Sequence, residues 1–307
     1  MTNPPARLAR PGRTPHDPAR RQALASALQA AAALALPACA AQPTDASTSA
    51  WTQRLEGDTV ALLGEVHDNP LHHRLRAQAL RRACESGWRP ALVMEQFDLE
   101  QQPAIERSRT EQPRDARRLI EQAGRTGGWS WRDYEPFVAL ALQYELPLWA
   151  GNLSRAQAAR VMREGYEPVL GPERMAAWNL QRVPDAAWQA AQEKEIDLGH
   201  CGALPKAMWS SMARAQFARD AALAHLLRSH GARGAVLLAG NGHVRRDIGV
   251  PRWLDGVPAS RTLVVGFVEL EGSEPLPGQY DVVVKTERAP RSDPCEGFRR
   301  QRGATTT

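Results

Sequence analysis

No two of the four cysteines in this 307-residue chain are spaced as C-x-x-C, so a cysteine zinc site is not expected. The apolar stretch Ala23 to Leu36 falls short of the about 20 residues that a membrane-spanning helix needs. No internal repeat or long low-complexity segment follows residue 50, which excludes a repeat array. Positive charge is scarce where it would matter. The net charge is +5, but residues 1–39 carry five arginines against the single acid Asp17. The remainder holds 34 basic and 33 acidic residues, a net of +1, so no nucleic-acid footprint and no nucleic-acid partner are expected. An apolar fraction of 43% is enough for a sizeable core.

The basic leader has the build of an export signal. A basic region ends at Arg20-Arg21, the apolar stretch Ala23 to Leu36 follows, and Leu36-Pro37-Ala38-Cys39-Ala40-Ala41 forms the cleavage region. Leu-x-Ala-Cys resembles a bacterial lipobox, with Cys39 as the lipidated first mature residue. Ala38-Cys39-Ala40 also fits ordinary cleavage after Ala40, and the arginine pair weakly matches a twin-arginine signal. The alternative is a cytosolic protein with a loose N-terminal tail. Residues 1–39 are therefore expected to be a signal peptide and 40–50 a flexible tether. The domain would then cover 51–289, ahead of a tail at 290–307 that is partly disordered. An oxidising compartment permits a disulfide. Cys84 lies in an apolar helical pattern and is expected to be a buried thiol. Cys201 and Cys295 lie in polar, loop-like contexts and are expected to pair.

Strands are predicted at 59–63, 91–95, 146–150, 235–239 and 261–269, with an edge strand at 281–285. Helices are predicted at 70–86, 99–109, 113–124, 134–145, 154–164, 171–181, 184–198 and 206–230, the last stopped by Gly231. The alternation gives an α/β fold with a mainly parallel sheet flanked by helices. The stretch 153–232 is too long for one crossover and is expected to be a helical subdomain inserted before the strand at 235–239.

Two strand ends share one build. Thr59-Val60-Ala61-Leu62-Leu63 runs into Gly64-Glu65-Val66-His67, and Ala235-Val236-Leu237-Leu238-Ala239 runs into Gly240-Asn241-Gly242-His243. Parallel sheets bind ligands beyond the carboxyl ends of their strands. That rim would carry Glu65, His67, Glu95, Gln96, Asn152, Asn241 and His243. Helix starts add His72, His73 and Tyr134, whereas Tyr144 and His230 fall on the far side. Glu65 and His67 are two apart and share a face in an extended segment. With Glu95 and His243 they are candidate ligands for a divalent metal. Alternatively His67 or His243 is a general base oriented by a carboxylate. The plainer alternative is that these groups bond one another and cap the helix near Pro70. Glu95 ends an apolar run, where a carboxylate is costly unless paired. Only one of His72 and His73 is expected to face inward. Trp129 and Trp131 are either ordinary packing or the wall of a flat aromatic pocket. Gln216, Arg219 and Asp220 face either the cleft or solvent.

Covalent c-type haem is excluded by the absence of C-x-x-C-H. A non-covalent haem needs His, Cys, Met or Tyr as axial ligand. Of the four tyrosines, Tyr134, Tyr144, Tyr166 and Tyr280, only Tyr134 is predicted on the rim.

Several segments together resemble a known family. They are Leu62-Leu63-Gly64-Glu65-Val66-His67-Asp68-Asn69-Pro70 with His72-His73, then Val93-Met94-Glu95-Gln96, and Ala150-Gly151-Asn152-Leu153. His200-Cys201-Gly202, Ala215-Gln216 with Arg219-Asp220, and Ala239-Gly240-Asn241-Gly242-His243 through Pro251 complete the set. Over about residues 55–285 the chain resembles the ChaN-like haem-binding lipoproteins. The resemblance implies an α/β core, haem as ligand, a role in haem or iron acquisition, and a lipid-anchored place in the periplasm or at the outer membrane. It also implies a homodimer enclosing stacked haems held by tyrosine, and an outer-membrane haem receptor as partner. Tyr134 is the expected iron ligand and Tyr166 the reserve, with His67, Glu95, Asn241 and His243 lining the site. The family is similar to a wider superfamily that includes metalloproteases and erythromycin esterases. A metal-dependent peptidase or esterase using Glu65, His67 and His243 with Glu95 is therefore the alternative.

Overall fold

The computed structural model describes Met1 and residues 50–124, 128–272, 274–293 and 295–297. The expected leader, Cys39, the tether up to residue 49 and the end of the tail lie outside the described residues.

Six strands form one sheet: β1 (Val60–Leu63), β2 (Ala91–Asp98), β3 (Leu148–Asn152), β4 (Ala235–Leu238), β5 (Thr262–Glu269) and β6 (Val282–Thr286). Their order is β3-β2-β4-β1-β5-β6 and every pairing is parallel. β4 thus sits between β2 and β1, so three site-bearing strand ends lie side by side. β6 closes one edge, close to the predicted 281–285.

Helices cover both faces. α1 (Pro70–Glu85), α2 (Gln102–Glu111), α3 (Ala116–Ala123) and α4 (Trp131–Gln143) precede β3. α5 (Arg155–Glu164), α6 (Glu167–Ala177), α7 (Ala186–Gly199) and α8 (Trp209–His230) fill the segment between β3 and β4, and the single turn α9 (Asn241–Val244) follows β4. Successive strand side chains point to opposite faces, so each strand feeds two cores. Ala61, Leu63, Leu92, Met94, Val236 and Leu238 pack with Leu80, Ile105 and Phe137 on one side. Val60, Leu62, Ala91, Val93, Ala235 and Leu237 pack with Phe217, Leu223 and Trp253 on the other. Burial on both faces explains why these strands read as continuous apolar runs. The inserted helices supply the second covering layer.

Local chemistry sets the boundaries. Asn69 caps α1 by accepting from the Leu71 N–H, with Pro70 at the first helical position. α8 ends at His230 as expected, with Gly231 at its C-cap (φ −83°) and a 3-10 turn (Gly231–Arg233) following. Gly234 is left-handed (φ 88°), and a Cβ there would lie 2.6 Å from Trp88 Nε1. Two expectations need correction. The helix predicted at 171–181 starts earlier and is broken at Gly171 (φ 75°) before Pro172. α4 starts three residues before the predicted 134, so Tyr134 lies one turn inside the helix rather than at its start. Cys201 and Cys295 form a disulfide, joining the segment after α7 to the C-terminal region. Cys84 is a buried free thiol, its pKa raised to about 11 by burial.

Candidate functional site

Glu65 leaves the end of β1 and is 2% exposed, which is affordable for a carboxylate only with partners. α1 and α4 supply them. Arg76, fully buried in α1, forms an ion pair with Glu65 and donates to the Leu63 carbonyl at 3.0 Å. Burial lowers the Arg76 guanidinium to about 10, so it is still charged at neutral pH. Tyr134 of α4 donates its hydroxyl to Glu65 Oε1. His73 lies against Tyr134, with ring centroids 4.7 Å apart. Its Nε2 donates to the His67 carbonyl at 2.9 Å and its Nδ1 accepts from Arg76 at 3.0 Å.

His67 is the open end of this network. Its Nδ1 lies 2.8 Å from Glu65 Oε1, and its side chain is 46% exposed. Among the described residues its Nε2 has no hydrogen-bond partner. Trp129 stands edge-on to it at 4.9 Å. Gly240 explains how the ring fits, because a Cβ there would lie 2.8 Å from both Cε1 and Nε2 of His67.

A second cluster forms where β4 and β2 end beside α8. His243 Nδ1 is 2.5 Å from Asp220 Oδ1, and its Nε2 is 3.5 Å from Glu95 Oε1. Glu95 Oε2 accepts the Gly240 N–H at 2.7 Å. Burial alone would lower the His243 pKa, but the two carboxylates raise it to about 10, making it an imidazolium at neutral pH. Burial pushes Asp220 up to about 6 despite His243. Burial likewise works against ionised Glu95, but His243, His67 and the Gly240 N–H together hold it well below the usual carboxylate range.

Between the clusters and α5 opens a cleft of about 710 Å³. Glu95, Trp129, Asn152, Arg155 and Arg219 are among its lining residues. The volume is in the range of small-molecule and cofactor sites.

The model of the haem-binding uptake proteins, Tiki superfamily, ChaN, matches residues 51–254. The chain belongs to this family. Among solved structures it is similar to ChaN of Campylobacter jejuni with cofacially bound haem. That protein is 21% identical; the match covers 76% of this chain and 89% of that one, with a TM-score of 0.57. The shared α/β fold is what this likeness shows. An erythromycin esterase mutant in its open conformation is 14% identical, with 80% and 81% of the two chains covered and a TM-score of 0.43. No curated protein matches the chain significantly.

For a ChaN-family protein the decisive question is which side chain an iron can reach. Tyr134, the expected ligand, is fully buried and its hydroxyl is committed to Glu65, so this arrangement gives iron no approach to its oxygen. Tyr166 and Tyr280 are half-buried, and burial raises both phenols. Tyr144 lies under the Arg89 guanidinium at 5.0 Å. His67 does suit an iron. One ring nitrogen is held by a carboxylate, which fixes the tautomer and turns the other outward as a candidate ligand. Trp129, edge-on to the ring at 4.9 Å, lines the neighbouring cleft, whose lining does not include His67 itself; a histidine beside an aromatic side chain is donor chemistry that fits a haem.

The four groups expected to share a metal are divided between two clusters: Glu65 is paired with Arg76 and His67, and His243 lies between Asp220 and Glu95. Among the described residues no group of three or more His, Cys, Asp or Glu side chains is placed to hold a metal ion. Asn241 does not line the cleft. Its side-chain amide donates to the Phe267 carbonyl at 2.6 Å, and its backbone N–H donates to the Glu65 carbonyl at 2.9 Å. It therefore locks strand ends together. Both His72 and His73 face inward, contrary to expectation. His72 turns the other way, accepting from the Val66 N–H and donating to Thr286 Oγ1 at 2.7 Å. Arg76 escaped the sequence reading. Its signal was available: it lies three residues after His73, on the apolar face of α1 that continues at Ala79, Leu80 and Ala83.

Proposed function

We propose that this protein is an exported haem-binding protein of haem or iron acquisition that takes haem at the strand-end cleft, with His67 Nε2 as axial ligand. The observation that carries this reading is the exposed His67 ring, held through Nδ1 by buried Glu65 and flanked by Trp129. His is among the axial ligands that haem proteins use, and the Glu65 contact orients it. A basic, apolar, lipobox-like leader supports export and an anchor at Cys39, placing the body in the periplasm or at the outer membrane. A homodimer and an outer-membrane receptor as delivery partner go with that role. The ligand supplies an iron centre, and the chain's residues bind and orient it. Titration of the purified protein with hemin tests the reading. It predicts a saturable, shifted Soret band that His67→Ala abolishes; a spectrum identical to free hemin overturns it.

A second reading, metal-free ester or peptide hydrolysis, rests on the same Glu65–His67 pair, a general base oriented by a carboxylate. His243 is protonated at neutral pH and could serve there only as a cationic or acidic group. Hydrolysis of an ester or peptide panel that is lost in His67→Ala, without hemin binding in the wild type, would favour it.

A further inference from the structure

α1 gathers positive charge on one side of the molecule. Its residues line two surface hollows. The first, about 810 Å³ at the end of the helix, sets Arg82 beside Arg89 and Arg233. The second, about 700 Å³ against α4, sets Arg74 and Arg81 beside Arg132. All six arginines are exposed, and none forms an ion pair among the described residues. Arg89 donates to the Cys84 and Trp88 carbonyls, contacts that leave its charge in place. Acids are fewer here: Glu56 lines the first hollow, and Asp68 and Asp133 line the second. Asp68 is already paired with Arg291 at 2.9 Å, and Asp133 accepts from the Ser130 hydroxyl at 2.7 Å.

The helices on the other face of the sheet treat their arginines differently. There Arg160 is matched by Glu164, Arg182 by Asp255, Arg252 by Asp185, and Arg245 by Glu195 and Asp247. The chain after residue 39 is almost neutral, with 34 basic against 33 acidic residues. The arginines around α1 are therefore a local excess, not the sign of the whole body. The start of the fold adds a second observation. Thr52 and Gln53, just after the chain enters the fold at Ala50, line the first hollow with Arg82 and Arg233. Only residues 40–50 separate Cys39 from Trp51, and extended they span at most about 40 Å. An anchor at Cys39 would keep this side of the body within reach of the bilayer.

We propose that the α1 side is a membrane-docking surface, its exposed guanidiniums meeting the phosphates of anionic phospholipids. It rests on the export part of the reading above, not on haem, and goes beyond it. A lipid chain and a basic patch are two signals that together give stable attachment. With α1 on the bilayer, α5 to α8, which pack on the opposite face of the sheet, turn toward the aqueous phase.

Cosedimentation with vesicles tests the surface. The protein used starts at Ala41, which keeps every described strand and helix but lacks the basic leader and Cys39. One set of vesicles is neutral phosphatidylcholine, and the other also contains anionic phosphatidylglycerol. Wild type is expected to bind the anionic vesicles alone, and added salt should release it. Arg81→Gln combined with Arg82→Gln should weaken that binding about tenfold or more, whereas Arg160→Gln on α5 should change it by less than about twofold. Hemin titration of the double variant should match wild type, so the docking surface and the haem reading fail separately. No binding to anionic vesicles, equal binding to both kinds, or binding that the double variant leaves unmoved overturns the docking surface.

Discussion

The two strand-end motifs look alike in sequence and behave oppositely in the fold. At β1 the carboxylate Glu65 is sealed under Arg76 and Tyr134, and the histidine, His67, reaches solvent. At β4 the histidine, His243, is the sealed member, clamped between Asp220 and Glu95. The difference comes from the helices. α1 and α4 bring a cation and a phenol to the first motif, whereas α8 brings a carboxylate to the second. A histidine after a buried strand is therefore a ligand candidate or a fixed charge according to what the crossover helices deliver.

The sealing of the β1 motif is broken most severely through Arg76. Arg76→Met leaves Glu65 buried without its cation and is expected to cost about 3–5 kcal/mol, read from chemical denaturation. Glu65→Gln added to it should recover a good part of that loss. No recovery in the double variant would mean that Arg76 acts by packing, over Phe137 at 5.3 Å, rather than by charge.

The β4 motif is probed by alkali. The His243 pKa is raised from 6.5 to about 10, so between these values the folded state binds a proton that the unfolded state has released. Its contribution is full below pH 6.5 and is lost as pH rises toward 10. His72 has the opposite sign. Burial lowers it to about 4, so the unfolded state binds the extra proton and stability falls as pH drops from 6.5 to 4. Thermal midpoints should thus decline on both sides of neutrality. His243→Gln should flatten the alkaline limb alone; an unchanged alkaline limb would show that His243 is not the group held charged.

Tyr134→Phe removes one hydrogen bond to Glu65 and is expected to cost about 1 kcal/mol of stability. Hemin affinity should stay within about twofold, because the phenol faces the core; the size of that bound follows the modest net value of one buried hydrogen bond.

Most of the fold was legible because buried parallel strands announce themselves as short apolar runs, as Val60–Leu63 and Ala235–Leu238 do. The disulfide partners were legible from their polar contexts once Cys84 fell inside a helical face. Strand ends placed Glu65, His67, Glu95 and His243 near one another. Sequence could not show how those groups pair off, since that depends on which helix face meets which strand end. Arg76 and Asp220 come from α1 and α8 and decide the charge state of both clusters. Tyr134 was legible as a strand-end residue, and the structure sets its hydroxyl on Glu65 beside His73 and Trp129; what the sequence could not show is that the ring there is fully buried.

The central claim is that iron meets the exposed histidine rather than the buried phenol. Hemin titration of wild type, His67→Ala and Tyr134→Phe, followed at the Soret band, tests it most directly. The expected result is a shifted, saturable band in wild type and Tyr134→Phe that is absent from His67→Ala. A band retained in His67→Ala and lost in Tyr134→Phe would contradict it.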